Sequence, residues 1–134
     1  MAPKIIDKVA LIHLSEKKVL STLSKNKNKL YFPGGKRELG ESDLECLKRE
    51  LLEELNIQIL ENTVKFFGKF EAQADGHHDG ITVQMLCYFS EFEGIPIASS
   101  EIHSFEYITY ADRFRTSAVD ILILERLKEL ELID

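Results

Sequence analysis

Residues 35–57 read GKRELGESDLECLKRELLEELNI, and the way this stretch folds decides the rest of the chain. Ser42 with Glu45 three residues on is the signature of a capping box, which predicts a helix from Asp43 to Leu55. Asn56 stands where that helix must turn out, in a left-handed conformation that asparagine tolerates better than most residues other than glycine. At about 100° per residue, Leu44, Leu47, Leu51, Leu52 and Leu55 form one stripe, and Glu50, Glu53 and Glu54 gather at its edge within roughly 100°. The leucines can bury against a sheet while the carboxylates project together. Like charges three or four residues apart repel by roughly 0.2–0.5 kcal/mol per pair, so such a face needs compensation or a use. Arg49, one turn before Glu53, compensates in part. A solvated amphipathic helix is one reading of this face, and a site for a hard cation is the other.

The flanking loop bears on that choice. Pro33-Gly34-Gly35 interrupts regular structure ahead of the helix. Glycines at 34 and 35 let the backbone pass close to an ion, where a main-chain carbonyl could join its shell, and Glu41 adds another acid. Mg2+ prefers oxygen ligands, keeps several waters, and takes one or two carboxylates plus the phosphate oxygens of a substrate.

Outward from this segment, Lys4 to Leu14 and VLSTLSK read as two strands joined by the polar turn SEKK. NKNK (26–29) is a cationic loop, either a solvated turn or a flap that approaches phosphate. Residues 64–74 and 81–92 read as long strands around the turn-forming ADGHHDG; residues 93–102 form a loop containing Pro96, and FEYITY forms a further strand. Ser117 can cap a last helix that runs through Leu132. Strands that precede and separate two helices suggest an α/β fold: a three-layer α/β/α sandwich with a mixed β-sheet and a helix on each face.

The 134 residues are about one domain, 1–134, and can bury a real core. A net charge of -6 argues against a nucleic-acid partner, which needs a concentrated basic surface. No apolar run is long enough for a signal sequence or a membrane span, and Cys46 and Cys87 read as two reduced, packed thiols, so a cytoplasmic location is expected. The sequence leaves oligomeric state open.

Residues 35–57 resemble the Nudix box: glycine, five residues, glutamate, seven residues, arginine-glutamate, an aliphatic residue, any residue, two glutamates, any residue, glycine and an aliphatic residue. Gly35, Glu41, Arg49, Glu50, Leu51, Glu53, Glu54 and Ile57 fall in register, and only Asn56 departs, replacing glycine. The resemblance implies hydrolysis of a nucleoside diphosphate linked to another group, with Mg2+ or Mn2+ as cofactor and a small-molecule nucleotide as substrate. Glu50, Glu53 and Glu54 would hold the metal, with the Gly35 carbonyl as a further ligand. Arg49 would orient the acidic cluster, and Glu41 would support it from the loop. YFPGGKRELGES is similar to the MutT-type subgroup, which cleaves nucleoside triphosphates, oxidised ones included, to the monophosphate and pyrophosphate. In that subgroup a lysine matching Lys36 lies near the phosphates, with Gly34 and Gly35 beside it; a solvated loop cation is the other reading of Lys36. The same box serves ADP-ribose and nucleotide-sugar pyrophosphatases, and a binding module that has lost catalysis would keep the fold.

Base recognition needs a stacking surface outside the box. Phe67, Phe70 and Tyr88 are candidates, each otherwise a core residue. Adjacent histidines in a strand point to opposite faces, so His77 and His78 make a poor metal pair and read as a turn or a substrate-contacting loop. His13 reads as a strand residue without a chemical role, and His103 in a loop is undecided. The general base is also open: Glu50 or Glu54 in the box, or one of the later acids, Glu101 and Asp112.

Overall fold

The computed structural model describes residues 4–74 and 80–134. His77 and His78 therefore lie outside the described residues. The chain forms β1 (Lys4–Ile12), β2 (Leu14–Ser15), β3 (Lys18–Ser24), β4 (Leu30–Tyr31) and β5 (Gly34–Lys36), then α1 (Asp43–Leu55). After it come β6 (Gln58–Ile59), β7 (Lys65–Gln73), β8 (Ile81–Phe89), β9 (Phe92–Glu93) and β10 (Ile102–Ile108), and α2 (Ala118–Glu129) closes the order.

A four-stranded mixed sheet runs β5-β1-β8-β7, in which β1 and β8 are parallel and the other pairs antiparallel. A second sheet runs β10-β3-β2 with β4 on β3, and β6 pairs with β9. Strand β1 explains the layering. Its run Val9-Ala10-Leu11-Ile12 is apolar without alternation, the mark of a strand covered on both faces. Val9 and Leu11 pack with Cys46, Leu47, Leu51 and Leu55 of α1. Ala10 and Ile12 pack with Val119, Ile123, Leu124 and Leu127 of α2. The mixed sheet thus carries a helix on each face, as expected, and the thiols of Cys46 and Cys87 are free and buried.

Helix α1 begins and ends where its sequence predicts. The Ser42 hydroxyl accepts the Glu45 N–H at 3.1 Å, the Glu45 carboxylate accepts the Ser42 N–H at 2.9 Å, and Asn56 closes the helix at φ 55, ψ 39. Other expectations need correction. The first run divides at His13: β1 joins β5 and β8, while the two-residue β2 hairpins with β3 across the expected polar turn. His13 is the break between β1 and β2, where it bonds Tyr107 at 2.7 Å and Glu91 at 3.1 Å and stacks on Phe92. The second strand of the 64–92 hairpin ends at Phe89, and Phe92 turns away to pair with Ile59. His103 lies on β10 rather than in a loop. Helix α2, capped by Ser117 as expected, ends at Glu129, short of Leu132.

Candidate active site

Strand β5 lays the Gly34-Gly35 backbone against β1, opposite Ala10 and Val9, and α1 crosses beside it. Both glycines are required by close approach. A Cβ on Gly34, which sits at φ 139, would meet the Val9 carbonyl oxygen at 2.1 Å. A Cβ on Gly35 would stand 2.4 Å from Cδ of Glu50 and 2.5 Å from one of its oxygens. The Glu50 carboxylate therefore occupies the space that any other residue at 35 would fill. The Gly35 carbonyl faces the same helix, 3.6 Å from the Cys46 sulfur.

Glu41, Glu50 and Glu53 converge on Arg49. Its Nε donates to Glu41 Oε2 at 2.7 Å and its Nη2 to Glu41 Oε1 at 2.9 Å, a bidentate pairing. Nη1 donates to Glu50 at 2.9 Å and lies 3.5 Å from Glu53, while Nη2 also reaches the Lys36 carbonyl at 3.1 Å. Glu53 is half exposed. Glu54 turns inward, 6 % exposed, and accepts the Gly34 N–H at 2.9 Å.

The electrostatics follow from these positions. Burial pushes the Glu54 carboxyl up to about 8, with the Gly34 N–H pulling the other way and the charges of Glu50 and Glu101 adding to the rise. Burial also raises Glu50, opposed by Arg49. Hydrogen bonding to Arg49 holds Glu41 down at about 2, and the Arg49 guanidinium is raised in turn, chiefly by Glu41. Of the two later acids, Glu101 adds its charge to the rise of Glu50 and Glu54; the loop before it is tied to α1 by Ser99 N–H on the Glu54 carbonyl, at 2.9 Å. Asp112 is engaged elsewhere, accepting the Thr109 N–H and pairing with Arg115.

The donor set around Gly35 is all oxygen, which fits a hard divalent ion. Among the described residues no three acidic, histidine or cysteine side chains form a ready cage for one. Mg2+ does not require such a cage, since waters and substrate oxygens complete its shell. Beside the site, on the α2 side of the sheet, lies a cavity of about 250 Å³ lined by Lys8, Lys27, Tyr31, Lys36, Met85 and Val119, among others. Burial lowers the Lys8 ammonium from its ordinary value, against the opposing pull of Asp120. Lys8 was missed by sequence reasoning; its signal is a lone lysine in the apolar strand IIDKVALI. Arg37 was missed as well. Phe67 and Phe70 pack against the core with Phe89, and Tyr88 donates its hydroxyl to Asp43.

The NUDIX domain family's profile matches residues 6–126. Solved structures share the fold. The ORF135 protein of E. coli superposes with a TM-score of 0.75 at 25% identity, over 96% of this chain and 91% of its own. The MutT protein of Bacillus halodurans gives 0.70 at 24%, over 90% and 80%. The MutT protein of Methanosarcina mazei Go1 gives 0.78 at 18%, over 97% of each chain. No curated protein matches the sequence. With its fold and box in register, the chain belongs to the NUDIX domain family and is a hydrolase. Hydrolases of this family act on pyrophosphate linkages of small nucleotide substrates and generally use divalent metals. No helix among the described residues is long and apolar enough to cross a membrane.

Proposed function

We propose that the chain is a Mg2+-dependent pyrophosphohydrolase of the MutT type, cleaving a nucleoside triphosphate to the monophosphate and pyrophosphate. The observation that carries this reading is the Glu50 carboxylate seated on the bare backbone of Gly35, with Arg49 and Glu41 behind it and Glu54 against Gly34. Glu50, Glu53, Glu54 and the Gly35 carbonyl would hold the ion. When bound, the ion supplies neutralisation of phosphate charge and a lowered pKa for a coordinated water. Arg49 keeps Glu50 and Glu53 from repelling each other and fixes their direction. Lys36, one of the lysines lining that cavity, would run alongside the phosphates. Glu101, held ionised chiefly by the Ser100 hydroxyl at 2.6 Å, is the later acid available to take the proton from the attacking water.

A panel of nucleotides supplied with Mg2+, read for pyrophosphate against monophosphate release, tests the assignment. Triphosphates should yield pyrophosphate. Turnover of ADP-ribose or a nucleotide sugar far above every triphosphate would replace this substrate class with the other. No turnover of any such linkage would leave a binding module.

A further inference from the structure

Arg37 occupies one of the five positions that the family's pattern leaves open between Gly35 and Glu41. In this chain it is the anchor of the loop that carries Glu41. The loop has little apolar packing to hold it: Leu39 is fully exposed, and nothing stands within 4 Å of a Cβ built on Gly40; besides Arg37 it is held by Arg49 on Glu41 and the Lys36 carbonyl, and by the Glu38 N–H on the Glu41 carboxylate. Arg37 reaches three elements at once. Its Nε donates to Asp7 Oδ2 of β1 at 2.9 Å, its Nη1 to the Glu41 carbonyl at 3.2 Å, and its Nη2 pairs with Asp43 in the first turn of α1. Its main-chain N–H adds a bond to the Asp7 carbonyl at 3.1 Å. The acceptors are themselves fixed from β8, since Tyr88 donates to Asp43 and Gln84 to Asp7.

Glu41 is therefore held at both ends, its carbonyl by Arg37 and its carboxylate by Arg49. Arg49 in turn sets Glu50. An isolated exposed ion pair is worth little, but a planar guanidinium bridging a strand, a loop and a helix in a network of fixed acceptors sets geometry. We propose that Arg37 is a positioning residue for the hydrolytic site, fixing the 37–42 loop so that Glu41 and Arg49 hold Glu50 in the direction the divalent ion requires. This rests on the reading of Glu50, Glu53 and Glu54 as ion-holding carboxylates.

The test compares wild type, Arg37→Met, Arg37→Lys and Arg115→Met. The last breaks a similar ion-pair group, with Glu106 and Asp112, outside the box. Binding of Mn2+ without nucleotide is read by electron paramagnetic resonance, alongside thermal midpoints and KM and kcat at saturating Mg2+. Arg37→Met should weaken Mn2+ binding roughly 10- to 100-fold, the range typical for groups that orient ligands, with nucleotide KM at saturating Mg2+ unchanged. Arg37→Lys, whose single ammonium cannot span three acceptors, should fold and recover only part of the affinity, and it decides the matter if the methionine variant does not fold. Arg115→Met should leave Mn2+ binding at the wild-type value. Unaltered Mn2+ binding in both Arg37 variants overturns the proposal, as does an equal loss in Arg115→Met, or a raised KM with ion affinity intact. Failure of the underlying reading looks different: wild type itself would bind no Mn2+ and cleave no nucleotide.

Discussion

Helices α1 and α2 cover opposite faces of the same sheet, yet their charges are distributed in opposite spirit. In α2 an acid, Asp120, stands in the first turn and Arg126 and Lys128 in the last, the arrangement that complements a helix dipole. In α1 the first turn has Asp43 and Glu45, but the last turn has no base and carries Glu53 and Glu54. Acids at that end are unfavourable by about 0.3–1 kcal/mol each. In α2 the bases of the last turn stand beside the acid Glu129 and offset it. The last-turn acids of α1, Glu53 and Glu54, work against their helix and are tolerated because Arg49 and the Gly34 N–H receive them. The difference teaches that Glu53 and Glu54 answer to something other than the stability of their helix.

The largest effect should come from removing those acids. Glu53→Gln and Glu54→Gln should lower turnover by orders of magnitude while the folding midpoint holds or rises, whereas Glu125→Gln on the exposed side of α2 should change neither; steady-state rates and thermal melts make the comparison. Wild-type turnover in Glu53→Gln would mean that the acidic face is only a solvated surface. Gly35→Ala comes next. Its Cβ must displace the Glu50 carboxylate, so turnover should fall roughly 10- to 100-fold and stability by about 1–3 kcal/mol, read by kinetics and denaturant unfolding.

Core truncation should treat the two helices alike. Leu51→Ala in α1 and Leu127→Ala in α2, both fully buried, should each cost about 2–5 kcal/mol in urea unfolding. A pH series on metal-free protein separates them again. Because the Glu54 carboxyl is raised from 4.5 to about 8, the folded chain holds that proton more tightly than the unfolded chain. This contribution is complete below pH 4.5 and is lost as pH climbs to about 8, so the midpoint should decline across that window and decline less in Glu54→Gln. Glu41, depressed to about 2, contributes with the opposite sign, stabilising above pH 4.5 and losing that as pH falls toward 2. The smallest change expected is in Asn56→Gly, which relaxes a left-handed residue at φ 55 and should raise stability by less than about 1 kcal/mol without altering turnover.

Local signals carried much of this architecture. The capping box and Asn56 bound α1 at both ends because they act within a few residues, and the leucine stripe identifies its buried side. Strands β5, β6 and β9 have two or three residues each, too few for any alternation to show. The partner of β1 was hidden for a different reason: a run buried on both faces looks the same whichever strand lies beside it. At the site, helical spacing places Glu50, Glu53 and Glu54 on one edge but says nothing of which turns inward. Glu54 does so, onto the N–H of Gly34, 20 residues earlier and on strand β5. Arg37 was illegible likewise, since its partners Asp7 and Asp43 come from β1 and α1.

Strand β1 sends Val9 and Leu11 one way and Ala10 and Ile12 the other, and among the described residues the two hydrophobic clusters it divides have no side chain in common. Substitutions in the lysine-lined layer can thus accumulate without disturbing the leucines that seat the acids. Within a lineage, one layer is free to diverge while the other is inherited intact.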